Sequence, residues 1–207
     1  MPLITVSRQY GSGGSEIAGR VAAALGWQLY DNAVVEEVAR RLGMSTADVS
    51  AHDERVPSLP ERIASAMALG VPEVMPTIAD LAAQPSEERI VETTKRVIEE
   101  AVQAGPAVLV GRGAQSMLAA RADALHVFCY APTEALESYA ITNLGVSPTE
   151  AHRIVAENNH QREQYVKRHW KRNWRDVANY HLCVNTAWLG LDGATELIVQ
   201  VARERFG

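Results

Sequence analysis

A three-layer α/β/α sandwich built on a five-stranded parallel sheet is the fold this sequence predicts, and three observations predict it. Strand-like apolar runs and amphipathic helical stretches alternate along most of the 207 residues. The runs Ala107-Val108-Leu109-Val110 and His126-Val127-Phe128-Cys129-Tyr130-Ala131 do not alternate apolar with polar, as expected of strands covered on both faces. The stretch from Ile4 to Ala18 reads as strand, glycine-rich loop and helix in direct succession.

Each element has its own signal. Ile4-Thr5-Val6 is the first strand; Ser15 and Glu16 open a helix with Ile17, Val21, Ala24 and Leu25 on one face. Gly26 caps it, and Trp27-Gln28-Leu29-Tyr30 reads as a short second strand ending in Asp31-Asn32. Val34, Val35, Val38, Ala39 and Leu42 line the next helix, which Gly43 stops. Between 45 and 86 five prolines divide an apolar stretch into short pieces, predicting a helical insertion over the sheet and a candidate homo-oligomer contact. Ser86-Glu87-Glu88 then caps a helix with the face Ile90, Thr94, Val97, Ile98, Ala101 and Val102, closed by Gly105-Pro106. The strand at 107–110 follows, then that at 126–131, after which Pro132 starts a helix containing Leu136, Tyr139 and Ile141. Ser147-Pro148 starts another. Leu182-Cys183-Val184-Asn185-Thr186 is the fifth strand, and Leu197, Ile198, Val201 and Ala202 mark an amphipathic closing helix.

The loop Gly11-Ser12-Gly13-Gly14-Ser15 has three readings. As a phosphate cradle, its glycines let amides converge on an anion at the positive end of the following helix. The length suits a P-loop with Ser15 as the magnesium-ligating hydroxyl, but Gly14 stands where that motif has lysine. A dinucleotide turn would use Gly11 and Gly13 with Asp31 twenty residues on, but Glu16 replaces the third glycine and Ser7 to Tyr10 separate strand from loop. The third reading is an ordinary Gly-Ser connection.

Other residues carry chemistry, several with two readings each. Asp31, at a strand's carboxyl end, suits either a ligand contact or a helix N-cap. Arg112, between Gly111 and Gly113 at the end of a buried strand, suits bidentate phosphate binding or a structural ion pair. Arg162, Lys167, Arg168, Lys171, Arg172 and Arg175 make a basic segment opposed only by Glu163, in a chain of net charge −5. That local reversal predicts an anion-facing surface. The interleaved Tyr165, His169, Trp170 and Trp174 read as core packing first and as a base-stacking groove second. His152, His160 and His169 lack the spacing of a metal pair.

Composition sets the bounds. With 47% hydrophobic residues the chain suits one domain with a sizeable core. The acidic balance argues against nucleic acid as a general partner. Cys129 and Cys183 sit in apolar runs and read as reduced core residues. Met1-Pro2-Leu3 leads straight into the first strand, so no signal peptide is expected, and no apolar run reaches membrane-spanning length. A cytoplasmic location is expected.

Taken together, Ser7-Arg8-Gln9-Tyr10-Gly11-Ser12-Gly13-Gly14, Tyr30-Asp31, Val110-Gly111-Arg112-Gly113, Arg162 with Tyr165, and Trp174-x-Asp176-x-x-Asn179-Tyr180-His181-Leu182 running to Asn185-Thr186 resemble the cytidylate kinase-like family, a divergent branch of the nucleoside monophosphate kinases. The resemblance covers nearly the whole chain. It implies one P-loop kinase-like domain over 1–207, an acceptor-side helical insertion at about 44–88 and a basic lid at about 147–176. It implies that Gly11, Ser12, Gly13, Gly14 and Ser15 hold the donor β-phosphate, with Ser15 on Mg²⁺. Arg112 would grip the acceptor monophosphate with Asp31 nearby, Arg162 and Arg168 would neutralise the migrating phosphoryl group, and Asn185 and Thr186 would border the donor base. The sequence departs from that pattern in four places. The loop lysine is absent, with Arg8 the candidate substitute; Gly113 replaces an acid that helps read cytosine; Glu37 stands where the acceptor side tends to carry arginine; and no carboxylate follows Val110. The implied function is ATP-dependent phosphoryl transfer to a nucleoside monophosphate, nominally CMP or dCMP, or to a related small molecule. The alternative is a catalytically weak nucleotide-binding regulator.

Overall fold

Strand β1 (Leu3–Arg8) is the middle of the sheet in the computed structural model, which describes residues 1–47, 49 and 86–207. β3 (Ala107–Val110) and β4 (Ala124–Tyr130) flank it, β2 (Gln28–Tyr30) lies outside β3, and β5 (Leu182–Asn185) lies outside β4. Every pairing is parallel, with Ile4 opposite Val108 and Val6 opposite Val127. The expected five-stranded parallel sheet is what the chain forms.

Alternate strand residues feed two different cores, which is why the runs lack polar alternation. Ile4, Val6, Val108, Val110, Leu125 and Val127 meet α1 (Gly14–Leu25) and α7 (Thr186–Phe206) through Ile17, Val21, Ile198 and Ala202. Leu3, Leu109 and Ala124 turn the other way, onto α2 (Asn32–Leu42) and α3 (Glu87–Ala104) through Val38, Ile90, Ile98 and Val102. Ile198 is fully buried, and cutting it to alanine is expected to cost about 2–5 kcal/mol.

Two further helices lie over the carboxyl edge. α5 (Thr133–Leu144) packs on the first half of α6 (Pro148–Trp170) through Leu136, Ala140, Ala151 and Val155. Ser147 caps α6, its hydroxyl accepting from the Glu150 amide. The second half of α6 brings Tyr165 and Val166 onto Phe128, Trp174 and Tyr180. Tyr165 and Trp174 are buried in that cluster, so they offer no open platform for base stacking. The packing reading of those aromatics stands.

Several boundaries differ from expectation. β1 continues to Arg8, so only Gln9 and Tyr10 separate it from Gly11. A single turn, α4 (Ala114–Met117), follows Gly113. Thr186 belongs to α7, not to the fifth strand, and Gly190 (φ 70°) kinks that helix. The helical insertion expected at about 44–88, with its oligomer contact, lies mostly outside the described residues; within its margins Val49 is buried in the α2–α3 core. Among the described residues no helix is long and apolar enough to cross a membrane. Cys129 is buried, and burial pushes its thiol up to about 12, while Cys183 is only half-buried.

Candidate active site

The chain passes from β1 to β2 on one side of the sheet and from β3 across β1 to β4 on the other. Connections therefore diverge beside β1, the place where open α/β sheets leave a crevice at their carboxyl edge. The loops after β1 and β3 both open there.

The loop after β1 is held from beneath. The Gln9 amide donates to the Cys129 carbonyl (3.0 Å), and the Gln9 side-chain oxygen accepts from the Ala131 amide (3.0 Å). Ser12 turns back on the Gln9 carbonyl with its amide (3.3 Å) and its hydroxyl (2.8 Å). Gly11 and Gly13 have φ of 78° and 71°, where a Cβ would be strained, and a Cβ on Gly11 would come 2.9 Å from the Leu136 carbonyl. The loop delivers the chain into α1, whose first amides at Gly14, Ser15 and Glu16 have no acceptor within the helix. A cavity of about 200 Å³ lies over these amides, lined in part by Gly11, Gly13, Gly14, Ser15, Tyr139 and Arg162. Amides converging at a helix N-terminus under an open cavity fit the cradle reading.

Arg8, the candidate substitute for the missing lysine, lies beside the loop. Its stem lies against Gly14, its guanidinium lies against Gly111, and its Nε donates to the Ser15 hydroxyl at 3.4 Å. Arg8 therefore lines the cradle cavity and also a smaller one of about 30 Å³ on its far side. Arg162 reaches both cavities as well, and its Nη1 donates to the Arg8 carbonyl at 2.8 Å.

The smaller cavity belongs to Arg112. Gly111, Arg112 and Gly113 have successive φ of 68°, 54° and 66°, and a left-handed arginine is uncommon enough to point to function. Arg112 follows the end of β3 at Val110 and lines this cavity. Burial, followed by the field of Arg8, lowers its guanidinium to about 10, opposed by Tyr165 and Asp31. Arg8, Arg112 and Arg162 line this cavity, and among the described residues no carboxylate lines it with them. Such a site attracts an anion.

Asp31 stands within electrostatic reach of Arg112, and its side chain makes no capping bond to α2 although it holds the N-cap position. Arg168 is not brought into the cluster. It is half exposed and pairs with Glu87 at 2.9 Å, beside His169 on the same carboxylate. Asn185 caps α7 by accepting from the Trp188 amide (3.2 Å), and Thr186 donates to the Tyr130 carbonyl (3.2 Å). Neither lines the two cavities, nor does Ser12, whose role is to shape the turn. Glu37 is held by Arg40 and Arg41, whose hydrogen bonds lower it to about 2.

Sequence reasoning missed Tyr165, Gln115 and Ser116 as cavity residues. Tyr165 follows Arg162 by about one helical turn and stands with it among the residues that carry the family resemblance, the signals available for it. The motif residues Asp176 and Asn179 prove architectural. Asp176 accepts from the Ala178 amide (3.0 Å); Asn179 offers its carbonyl to Gln115 (2.7 Å) and its side chain to Arg172 (2.9 Å). Trp170 covers Gly113, so a Cβ there would collide with the indole. Among the described residues no cluster of three or more His, Cys, Asp or Glu is placed to hold a metal. The exposed Ser15 hydroxyl fits a Mg²⁺ that takes its remaining ligands from phosphate oxygens and water.

A family model described as the cytidylate kinase-like family matches residues 3–187. No curated protein matches the chain. Among solved structures, an uncharacterised protein from Eubacterium ventriosum ATCC 27560 is similar over 98% of this chain and 99% of its own, at 17% identity and a TM-score of 0.70. TT1252 from Thermus thermophilus is similar over 100% and 98%, at 15% identity and 0.56. Shikimate kinase from Bacteroides thetaiotaomicron is similar over 98% of both chains, at 11% identity and 0.53. These likenesses establish a shared fold.

Proposed function

The chain belongs to the cytidylate kinase-like family, and from that premise we propose that it transfers a phosphoryl group from ATP to a small acceptor bearing an anion. One observation carries the reading. Arg8, with Arg162 beside it, lines both the glycine-loop cavity and the Arg112 cavity, so the same cations face both the donor and the acceptor side.

Phosphoryl transfer asks for alignment and charge neutralisation more than for a general base. The Gly14, Ser15 and Glu16 amides take the donor's terminal bridging region. Mg²⁺, held by Ser15 and the nucleotide's own phosphates, supplies charge neutralisation when bound. Arg112 grips the acceptor's anion and orients its nucleophilic oxygen. Arg8 and Arg162, between the two sites, offset the charge on the moving group and exclude water from it.

CMP and dCMP are the nominal acceptors. Trp170 over Gly113 leaves no side chain at the position that would help read cytosine, so other acceptors belong in the same test. The test is ADP formation from ATP and Mg²⁺ against nucleosides, nucleoside monophosphates and hydroxylated carboxylic acids such as shikimate. Acceptor-dependent ADP formation is the expected result. A second reading, a nucleotide-binding regulator with weak turnover, is favoured by α6 already closing on the loop, through Tyr10 N–H to Asn159 (2.8 Å) and Arg162 to Arg8. Tight nucleotide binding without turnover on any acceptor selects it.

A further inference from the structure

Tyr165 and Tyr180 share one aromatic cluster, but their hydroxyls differ. Tyr180 donates to the Trp174 carbonyl at 2.7 Å. The Tyr165 oxygen is buried, the residue being only 7% exposed, and has no hydrogen-bond partner among the described residues. Buried polar atoms are almost always paired, and leaving one unpaired destabilises the fold. Its ring already packs well, 5.4 Å from Trp170 and 4.9 Å from His169, and phenylalanine would keep those contacts without the orphaned oxygen. The hydroxyl therefore needs an explanation outside packing.

The cavity gives one. Tyr165 lines the same space as Arg112 and Arg162, and its oxygen is close enough to Arg112 to feel its charge. A guanidinium has no lone pair to offer, so the phenol cannot donate to it. Burial holds the phenol far above its ordinary range, so it stays protonated and remains a donor. None of the described residues accepts from it, and an oxyanion seated on Arg112 would supply the acceptor.

We propose that the Tyr165 hydroxyl is a substrate-binding group, donating a hydrogen bond to an oxygen of the phosphoryl-type oxyanion that Arg112 holds. The proposal rests on reading the Arg112 cavity as the acceptor's anion site. It makes the unpaired hydroxyl of the empty protein a stability cost kept for the bound state.

The test uses the full chain labelled at tyrosine Cζ, with inorganic phosphate as the probe and NMR as the readout. Tyr165→Phe assigns the resonance. The expected result is a saturable shift of the Tyr165 signal, weakened in Arg112→Lys. Tyr165→Phe should raise the phosphate dissociation constant about tenfold or more while leaving the ligand-free Tm equal or higher. A stationary Tyr165 signal during phosphate binding overturns the proposal. So does a titration unchanged in Arg112→Lys, which would place the phosphate in the glycine loop, or a lower ligand-free Tm with unchanged affinity in Tyr165→Phe. Failure of turnover with every acceptor, alongside an intact Tyr165 titration, would remove the kinase reading and leave this one standing.

Discussion

The Cβ of Arg8 lies 2.5 Å from the point that a Cβ on Gly14 would occupy, so the two positions cannot both carry a side chain in this arrangement. The glycine that breaks the usual phosphate-loop pattern is thus the complement of the arginine six residues earlier. One cation reaches the cradle from the strand side in place of one from the helix side. A guanidinium on a strand end is held more rigidly than an ammonium on a loop, and it presents a planar fork.

Replacing Arg8 by alanine should therefore lower turnover about a hundredfold or more, as loss of a transition-state cation does, with a much smaller change in ATP affinity. Steady-state kinetics and calorimetric ATP titration separate the two. Wild-type turnover in Arg8→Ala would show that the phosphate site does not depend on this cation.

The exclusion can also be tested by exchange. Gly14→Lys alone should lower activity and Tm, because its Cβ meets Arg8 and comes 3.1 Å from the Cys129 Cβ. Combining it with Arg8→Gly clears the larger obstacle, and the double variant should recover part of the turnover lost in Arg8→Ala. A double variant no better than either single one would mean that the two positions are not alternatives.

How much of this was legible in the sequence depended on range. The strands buried on both faces announce themselves by lacking alternation, and Gly11, Gly13, Arg8 and Arg112 stand out because glycines and charges at strand ends are local signals. The resemblance groups Arg168 with Arg162 in the lid, but its partner is Glu87, 81 residues away, which no local pattern reveals. Tyr165 hid for a different reason. Its ring does pack, as helical spacing suggested, and only coordinates show that its oxygen does not. The resemblance puts Asn185 and Thr186 beside the donor base; in the structure Asn185 caps α7 and Thr186 ties its start to the Tyr130 carbonyl of β4, contacts that no local pattern reveals.

Gly13→Val tests the cradle itself. Its Cβ would meet the Leu191 side chain at 2.5 Å, and a β-branched residue at φ 71° is strained. ATP binding measured by calorimetry should be lost. The far-UV circular dichroism should be unchanged, and Tm should fall by roughly 5 °C. Retained ATP affinity would place the nucleotide elsewhere.

A buried histidine gives the fold a pH dependence. His126 is 2% exposed, its Nδ1 hydrogen-bonded with the Thr5 hydroxyl (2.7 Å) and its ring stacked 5.0 Å from His181. Burial, aided by His181, lowers it to about 4. The unfolded chain then binds the extra proton first, so stability falls as pH drops from about 6.5 towards 4 and levels off below that. The loss is on the order of 3 kcal/mol. Urea unfolding across that window should show a steeper pH slope for the wild type than for His126→Gln, and identical slopes would mean that His126 titrates normally.

Arg112→Lys separates acceptor binding from structure. Lysine keeps the charge but loses the bidentate fork, so the acceptor KM should rise tenfold or more while the ATP KM stays within about twofold. Asp31 makes the companion test, because it stands within reach of Arg112 without capping α2. If Arg112 serves the acceptor, Asp31→Asn should change acceptor kinetics with little change in Tm. If instead the pair is a buried structural ion contact, both variants should lower Tm by several degrees and weaken donor and acceptor alike. The ratio of the two KM changes decides between them, because a fold defect cannot favour one substrate over the other.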